Sequence, residues 1–429
     1  MNATSPLLQE LTWRGMLQDC TPDLDAALAA GSVAGYIGFD PTAESLHVGN
    51  LATLMLLVQW QRHGHRPVLL VGGATGLIGD PSGKRTERKL LDTQQVEHNV
   101  SCIRQQLMQF LDFSPGPTQP LVVNNLDWFR HLHLLDFLRD VGKHLTVNYM
   151  MAKDSVQNRM ETGISYTEFT YQLLQAYDFF YLHQAHGVRV QMGGSDQWGN
   201  ITAGIELSRR MAGAEAHGLT CPLLTKADGT KFGKSEEGNI WLNAQMTSPY
   251  KFYQFWLNAA DDDLPRLLRV FSLAPRAEVE ALLAQHQADP GLRAGQKALA
   301  TELTTRVHGE AALARALQAS DILFGKGTTE QLRALTPSEF NEILEGVPTG
   351  QLPKSALAEG LAVADLLAES GAAASKSEAR RLLQSGAVRI NKGAAATADS
   401  RVTAEDLLNH RFMLLQTGKK KYHLALFTD

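Results

Sequence analysis

Three cysteines are few for a chain of 429 residues. Cys20, Cys102 and Cys221 stand apart, without the close spacing of a zinc site or the density of a disulfide framework. That excludes a disulfide-stapled scaffold and a structural zinc, and it fits a reducing compartment. Long apolar runs are missing too: nothing approaches the roughly 20 residues that cross a bilayer. Met1-Asn2-Ala3-Thr4-Ser5-Pro6 lacks a basic region followed by an apolar stretch, so no secretory signal and a cytoplasmic location are expected. Internal repeats are absent, and the Ala-rich stretches 372–374 and 394–396 read as loop filler. Net charge is only −5, so bulk charge singles out no partner. A hydrophobic content of 44% is ordinary, and the length allows two or three soluble domains.

Charge becomes informative when divided along the chain. Residues 375–429 carry ten Lys or Arg against five Asp or Glu, so residues 1–374 hold −10 of the total. An acidic body with a basic end points to a nucleic-acid contact there; a solvated basic terminus is the plainer reading.

Up to about residue 225 the pattern alternates strand and helix, with candidate strands at Val33–Phe39, Val68–Val71, Leu121–Asn124 and Val188–Met192. Such alternation predicts an α/β fold with a doubly wound, Rossmann-like parallel sheet, which binds ligands at the strands' carboxyl ends. Helical spacing prevails from about 248 to 335, with Ser248-Pro249 a good helix start. Around Thr336–Ser355 the glycines and prolines Gly346, Pro348, Gly350 and Pro353 read as a linker. The expected division is 1–225, 226–335, a linker at 336–358, and a small α+β module at 359–429.

Lys231-Phe232-Gly233-Lys234-Ser235 follows an Asp228-Gly229 hairpin signal. Two lysines three residues apart on a glycine-containing loop can close over a polyphosphate and neutralise its charge; two solvated lysines are the alternative. Far upstream, Asp40-Pro41-Thr42 breaks a short apolar strand, and His47-Val48-Gly49-Asn50 opens a helix whose apolar residues Leu51, Leu54, Met55 and Val58 recur with helical spacing. A helix N-terminus carries free N–H groups and partial positive charge, a ready phosphate site. Gly49 would let a base or ribose approach the backbone. Otherwise His47 merely caps the helix and Gly49 eases packing.

A third constellation lies on the predicted helix Thr167–His183. Tyr171, Gln175 and Asp178 fall at i, i+4 and i+7, on one narrow face, while Leu174, Tyr177 and Tyr181 form a stripe expected to supply the core. A phenol, an amide and a carboxylate together are odd for burial without a polar ligand; solvent exposure is the simpler account.

The two separated segments resemble the signatures of class I aminoacyl-tRNA synthetases, His-x-Gly-His and Lys-Met-Ser-Lys-Ser, here His47-Val48-Gly49-Asn50 and Lys231-Phe232-Gly233-Lys234-Ser235. Asn50 departs from the pattern: an amide can donate a hydrogen bond but cannot become cationic. Longer strings narrow the resemblance to the bacterial tyrosyl-tRNA synthetase family: 70–83 (LVGGATGLIGDPSG), 141–144 (VGKH), 191–202 (QMGGSDQWGNIT) and 248–256 (SPYKFYQFW). It runs from about Tyr36 to the C-terminal end. The segments 363–371, 375–383 and 386–391 resemble the S4 RNA-binding domain appended to that family.

This resemblance implies a ligase that couples L-tyrosine to tRNA(Tyr) through an adenylate, using ATP with Mg²⁺, no tightly bound cofactor and no protein metal site. It implies a homodimer, with the insertion of dimeric members inside residues 1–225. Tyr36 and Asp178 would hold the substrate hydroxyl, and Asp80, Tyr171 and Gln175 its ammonium, with Gln191 in the same pocket. Gly38, Asp40, Thr42, Gly49, Thr53, Gly194, Asp196, Gln197 and Lys234 would contact ATP or the adenylate. His47, Asn50, Lys231, Lys234, Ser235, Lys84 and Arg88 would act on the phosphates. Lys376, Arg380, Arg381, Arg389, Lys419, Lys420 and Lys421 would lie along RNA, with Ser375 capping their helix.

Three other readings remain at this point. Gly73, Gly76 and Gly79 after a strand imitate a dinucleotide loop, although Asp80-Pro81 interrupts the helix that should follow. A tryptophanyl relative would have no reason to aim a carboxylate at a phenol. A catalytically silent RNA-binding protein would explain Asn50 but leave Asp178, Gln175 and the two lysines without a role. The alternative for Asp80 is a turn residue before Pro81, the commoner fate of an Asp-Pro pair. No inserted segment is long enough for an editing domain.

Overall fold

The computed structural model describes residues 4–82, 91–160, 163–225, 227, 229, 232–235, 238–324, 328–344, 347–418 and 421–429. It divides into two compact units, Met1–Thr247 with Gln254–Val307, and Ser248–Tyr253 with His308–Asp429.

The first unit is built on a six-stranded sheet of β1 (Asp19–Cys20), β2 (Ala34–Phe39), β3 (Arg66–Val71), β4 (Leu121–Asn124), β5 (Val188–Gly194) and β6 (His217–Cys221), in the order β1-β6-β5-β2-β3-β4. All neighbours are parallel except β1, which pairs antiparallel with β6 at the edge. Val68, Leu69, Val188, Val190 and Leu219 are buried, as expected of strands covered on both faces. The four strands expected from the sequence are present, within two residues at each end. β1 and β6 were not expected: one is two residues long, and the other, His-Gly-Leu-Thr-Cys, has no apolar run.

The chain crosses the sheet between β2 and β5, the switch point where an α/β sheet opens a crevice. Their register sets Tyr36 beside Gln191.

Two helices frame the crevice. Val48–Arg62 is buried along most of its length, and its Trp60 donates from Nε1 to Val33 O at 3.2 Å. A Cβ on Gly35 would come within 2.6 Å of that indole, so glycine is what lets helix and strand close. Tyr166–His186 starts at Ser165, whose side chain accepts from Glu168 N, and ends at Gly187 in the left-handed region at φ 65°. Its first turn is held by a buried, bidentate Arg159–Glu168 pair at 2.8 and 3.0 Å. The core face corrects the sequence expectation. Leu173, Ala176, Phe179 and Leu182 are buried, whereas Leu174, Tyr177 and Tyr181 are half-buried and only flank the core.

The helix Leu264–Phe271 belongs to the same unit, and three arginines from distant elements collect its C-terminal carbonyls. Arg14 Nη1 donates to Arg269 O and Ser272 O, Arg62 Nη1 to Leu273 O, and Arg306 Nη1 to Phe271 O, all at 2.6–3.0 Å. Cations at the negative end of a helix dipole fix this helix against the rest of the first unit. Phe232 packs against Phe255, Trp256 and Phe271, with ring centroids 5.4, 5.7 and 6.0 Å away. The expected hairpin at Asp228-Gly229 lies partly outside the described residues. The ribbon actually described is β7 (Lys234–Ser235) with β8 (Gly238–Asn239).

The second unit contains the helices Glu310–Phe324, Thr329–Ala334 and Pro337–Leu344. Then follow β9 (Thr349–Pro353), β10 (Leu361–Ala362), two helices at Val363–Glu369 and Lys376–Gln384, β11 (Arg389–Ile390), β12 (Arg401–Val402), β13 (Phe412–Gln416) and β14 (Tyr422–Thr428). The four-stranded sheet runs β11-β13-β14-β9, with β9 parallel to β14. Leu366, Leu367, Ala379, Val388, Met413 and Phe427 form its core.

The stretch 336–358 is therefore not a bare linker. It carries a helix and a sheet strand, and Gly350 serves close approach: a Cβ there would meet Ser370 O at 1.9 Å. Glycine content misled because its cause is packing, not flexibility.

Candidate active site

The carboxyl ends of β2 and β5 open into one cleft. Along it lie Tyr36, Gly38, Asp40, Thr42, His47, Gly49, Asn50, Thr53, Asp80, Tyr171, Gln175, Asp178, Gln191, Gly194, Asp196 and Gln197. Residues from five separate stretches of sequence thus share one surface.

Its floor is Asp178, which accepts from Trp128 Nε1 at 2.9 Å and from Asn125 Nδ2 at 3.1 Å. Asn125 Oδ1 accepts from Ala74 N at 2.7 Å, which turns its nitrogen toward Asp178 and Thr75 Oγ1. Burial pushes the Asp178 carboxyl well above the usual range, and the two donors pull against that shift. Burial, then the Asp178 charge, raises the Tyr36 phenol. Tyr36 OH and Gln191 Oε1 are buried without a hydrogen-bond partner among the described residues. A carboxylate and an unmet phenol at the closed end of a cleft suit a ligand hydroxyl that donates to one and accepts from the other.

Midway along the cleft the groups are anionic. Tyr171 OH donates to Asp40 Oδ2 at 2.8 Å, and Thr75 Oγ1 donates to Asp40 Oδ1 at 2.7 Å. Burial first, then Asp40 and Asp80, pushes the Tyr171 phenol up, so it stays a donor. Asp80 Oδ1 accepts from Ser82 N at 2.9 Å, the turn anticipated before Pro81, while Oδ2 accepts from Gln197 Nε2 at 2.8 Å. The residue is thus both a turn former and a cleft carboxylate. These groups can accept from a ligand cation.

The outer end is where the two signature segments meet. Val48 N donates to Ile240 O at 2.9 Å, and Leu242 N to Leu46 O at 2.8 Å. His47 is the N-cap of its helix and stands edge-on to Trp241, with ring centroids 5.8 Å apart. Asn50 has a defined local task. Its Oδ1 accepts from His47 N at 3.1 Å, the return bond of a capping box, which leaves Nδ2 as the donor side. Thr53 Oγ1 donates back to Asn50 O at 2.9 Å. Lys84, Arg88 and Lys231 lie outside the described residues. So do the side chains of Lys234 and Ser235, whose backbone forms β7.

The glycines after β3 have a different use from a dinucleotide loop. A Cβ on Gly72 would meet Asp40 Oδ1 at 2.2 Å, and one on Gly73 would meet Asn124 Oδ1 at 2.3 Å. The helix that follows is four residues long, Thr75–Ile78, too short to serve as a dinucleotide helix.

Two family models match the chain. "tRNA synthetases class I (W and Y)" covers residues 29–325, and "Tyrosine--tRNA ligase SYY-like C-terminal domain" covers 339–425. The chain is 53% identical over 423 residues to a tyrosine–tRNA ligase of Cytophaga hutchinsonii, spanning 98% of this chain and 99% of that protein. It is 52% identical over 425 residues to one of Bacteroides thetaiotaomicron, with the same coverage. The chain belongs to the tyrosine–tRNA ligase family.

Among solved structures, a C-terminally truncated mitochondrial tyrosyl-tRNA synthetase of Aspergillus nidulans superposes with a TM-score of 0.66 at 30% identity. It covers 72% of this chain and 92% of that one. For a tyrosine–tRNA ligase, Asn125, Trp128, Thr75 and Asn200 are the residues that sequence reasoning passed over. Asn125 and Trp128 follow the carboxyl end of a predicted strand, which was the available signal. Thr75 and Asn200 sat inside quoted motifs with nothing to mark which neighbour they face.

In the second unit of this ligase, Ser375 caps its helix as expected, accepting from Glu378 N at 3.2 Å. Arg380, Arg381, Arg389 and Lys421 are exposed, while Lys376 pairs with Asp365 at 2.8 Å. Lys419 and Lys420 lie outside the described residues. Among the described residues no group of three or more His, Cys, Asp or Glu is placed to hold a metal ion, and no helix is long and apolar enough to cross a membrane.

Proposed function

We propose that this chain activates L-tyrosine with Mg–ATP and transfers it to the 3′ end of tRNA(Tyr). The observation that carries the reading is the paired Tyr36 phenol and Asp178 carboxyl at the closed end of a cleft whose mouth is a helix N-terminus. Phenylalanine would leave the Tyr36 hydroxyl unmet, at a cost of roughly 1–3 kcal/mol for a buried polar group left unpaired, and would bring Asp178 no donor beyond Trp128 and Asn125.

The substrate carboxylate is already ionised at neutral pH, so no general base is needed. One of its oxygens bonds to the α-phosphorus of ATP while the bond to the bridging oxygen breaks, and pyrophosphate leaves with that electron pair. In the second step a terminal tRNA hydroxyl attacks the adenylate carbonyl and AMP leaves. Catalysis rests on positioning and charge. Asp80, Tyr171 and Gln175 hold the ammonium, with Gln191 beside the ring. Gly38, Asp40, Thr42, Gly49, Thr53, Gly194, Asp196 and Gln197 receive the nucleotide. His47, the Asn50 amide nitrogen, Lys231, Lys234, Ser235, Lys84 and Arg88 face the phosphates. Mg²⁺ arrives with ATP, carried by its phosphates.

The C-terminal module acts as an S4-like RNA grip through Arg380, Arg381, Arg389 and the lysines 419–421, by phosphate and shape contacts. The working form is a cytoplasmic homodimer. Leu134, Leu135 and Leu138 on one helix are exposed, as is Val147 nearby, and an apolar face of this kind supports a buried dimer contact.

Amino-acid-dependent ATP–pyrophosphate exchange with tyrosine, phenylalanine and tryptophan tests the reading. Exchange with tyrosine alone is expected. Exchange with none of the three would overturn it.

A further inference from the structure

Asn200 lies on the Trp198–Ala212 helix, is buried, and is not part of the cleft wall. Its Nδ2 is 3.0 Å from Gln175 Oε1, 3.1 Å from Gln197 Oε1 and 3.3 Å from Ser82 Oγ. Both nearer acceptors are side-chain amide oxygens of cleft residues, and one amide nitrogen has a hydrogen for each. With Gln197 Oε1 turned to Asn200, Gln197 Nε2 must point the other way, and it sits 2.8 Å from Asp80 Oδ2. Ser82 N holds the second oxygen of Asp80 at 2.9 Å. Gln175 Nε2 is 3.4 Å from Gln197 Oε1, so the three amides form one directed set.

We propose that Asn200 is the positioning residue of the ammonium subsite: it fixes which way the Gln175 and Gln197 amides face, and through Gln197 it aims the Asp80 carboxylate. The inference rests on the assignment of Asp80, Tyr171 and Gln175 to the substrate ammonium made above. An amide can flip at little steric cost, and a flipped Gln197 would present its oxygen to Asp80, oxygen against carboxylate. An ammonium has three donors and no acceptor, so the subsite must be biased to offer oxygen lone pairs: Gln175 Oε1 has a second one beside its Asn200 bond, and the Asp80 carboxylate has others beside Ser82 N and Gln197 Nε2. Asn200 supplies that bias from behind without touching the substrate.

The test uses the full-length protein and two ligands, L-tyrosine and 3-(4-hydroxyphenyl)propionate, which lacks only the amino group. Their dissociation constants are measured by titration calorimetry. Asn200→Leu keeps the volume and removes both donors; Asn200→Ala, smaller, reads the same ligand pair if the leucine variant does not fold. The expected result is tyrosine weakened about tenfold or more, the loss of an aimed bond to a charged group. The desamino ligand should shift by less than about twofold, the range of an uncoupled site. Equal weakening of both ligands would mean a merely structural role and would overturn the inference, as would no change in either. If the unaltered protein binds the two ligands equally, the ammonium assignment itself fails, and the role of Asn200 with it.

Discussion

A Cβ placed on Gly233 would lie 3.0 Å from the backbone nitrogen of Gly49. The two glycines belong to the two signature segments, and nothing but main chain separates them. Gly233 also sits at φ 85°, where a side chain is strained whatever the space. Gly233→Ala should therefore push the lysine-bearing segment away from the Val48–Arg62 helix. Adenylation is expected to slow by about tenfold or more, the scale of misplaced transition-state contacts. Tyrosine affinity, set at the far end of the cleft, should hold. Stopped-flow formation of the adenylate and equilibrium tyrosine binding separate the two effects, and a parallel loss of both would contradict the assignment.

Lys234→Ala removes a charge expected to act while the phosphates transfer. The prediction is a large drop in the adenylation rate with little loss of tyrosine binding. If binding falls by the same factor as the rate, Lys234 serves the ground state instead.

Tyr36→Phe should have opposite effects on stability and function. It deletes a buried hydroxyl that has no partner among the described residues, so the ligand-free protein should gain roughly 1 kcal/mol. Tyrosine binding should weaken, and discrimination against phenylalanine should narrow. Urea unfolding without ligand, beside exchange kinetics for both amino acids, reads this trade. A less stable variant would mean that the hydroxyl is satisfied in the free protein.

Removal of the proposed RNA grip depends on where the cut falls. A chain ending at Leu335 should form the adenylate normally and fail to charge tRNA. One ending at Ser355 retains β9 without β14, the strand it pairs with over Thr349–Pro353. That orphaned strand is expected to promote aggregation. Light scattering and the two half-reactions on both truncations test this, and full charging by either would remove the RNA role from the module.

Acid sensitivity has an identifiable contributor in His65. Burial holds it down to about 4 from an ordinary 6.5, and its Nδ1 accepts from Val33 N at 3.3 Å. Protonation would set N–H against N–H. The unfolded chain takes up the proton below about 6.5 and the folded chain only near 4, so stability is full above that window and falls as pH drops through it. His65→Gln keeps an acceptor for Val33 N and does not titrate. Its urea midpoint should fall less than that of the unaltered protein between pH 7 and pH 4.5. Identical acid slopes would exclude His65 as a source.

The sequence carried a large share of the fold because its strands β2, β3 and β5 are covered on both faces and must read as short apolar runs. It could not mark β6, whose Gly218 is small because Ile201 and Trp198 press on it: a Cβ there would meet Ile201 at 2.6 Å. It misplaced the core stripe of the Tyr166–His186 helix for a related reason. Aromatic residues such as Tyr177 and Tyr181 look like core by composition, but the helix's neighbours favour the Leu173–Phe179 side. Gly350 was likewise a packing glycine that composition alone casts as a hinge.

By itself the sequence determined the local chemistry: a helix opening at His47, a phenol, amide and carboxylate on one face of a helix, and a lysine-bearing loop. Local geometry follows from residue type and spacing, which a chain carries in its order. Only the tertiary structure decided that Asn125 and Trp128 would grip Asp178, that Asn200 would reach Gln175, and that Gln197 would reach Asp80. Those relations join positions tens of residues apart, and hydrogen-bond partners at that range are fixed by the sheet order and helix packing that bring them within 3 Å of each other.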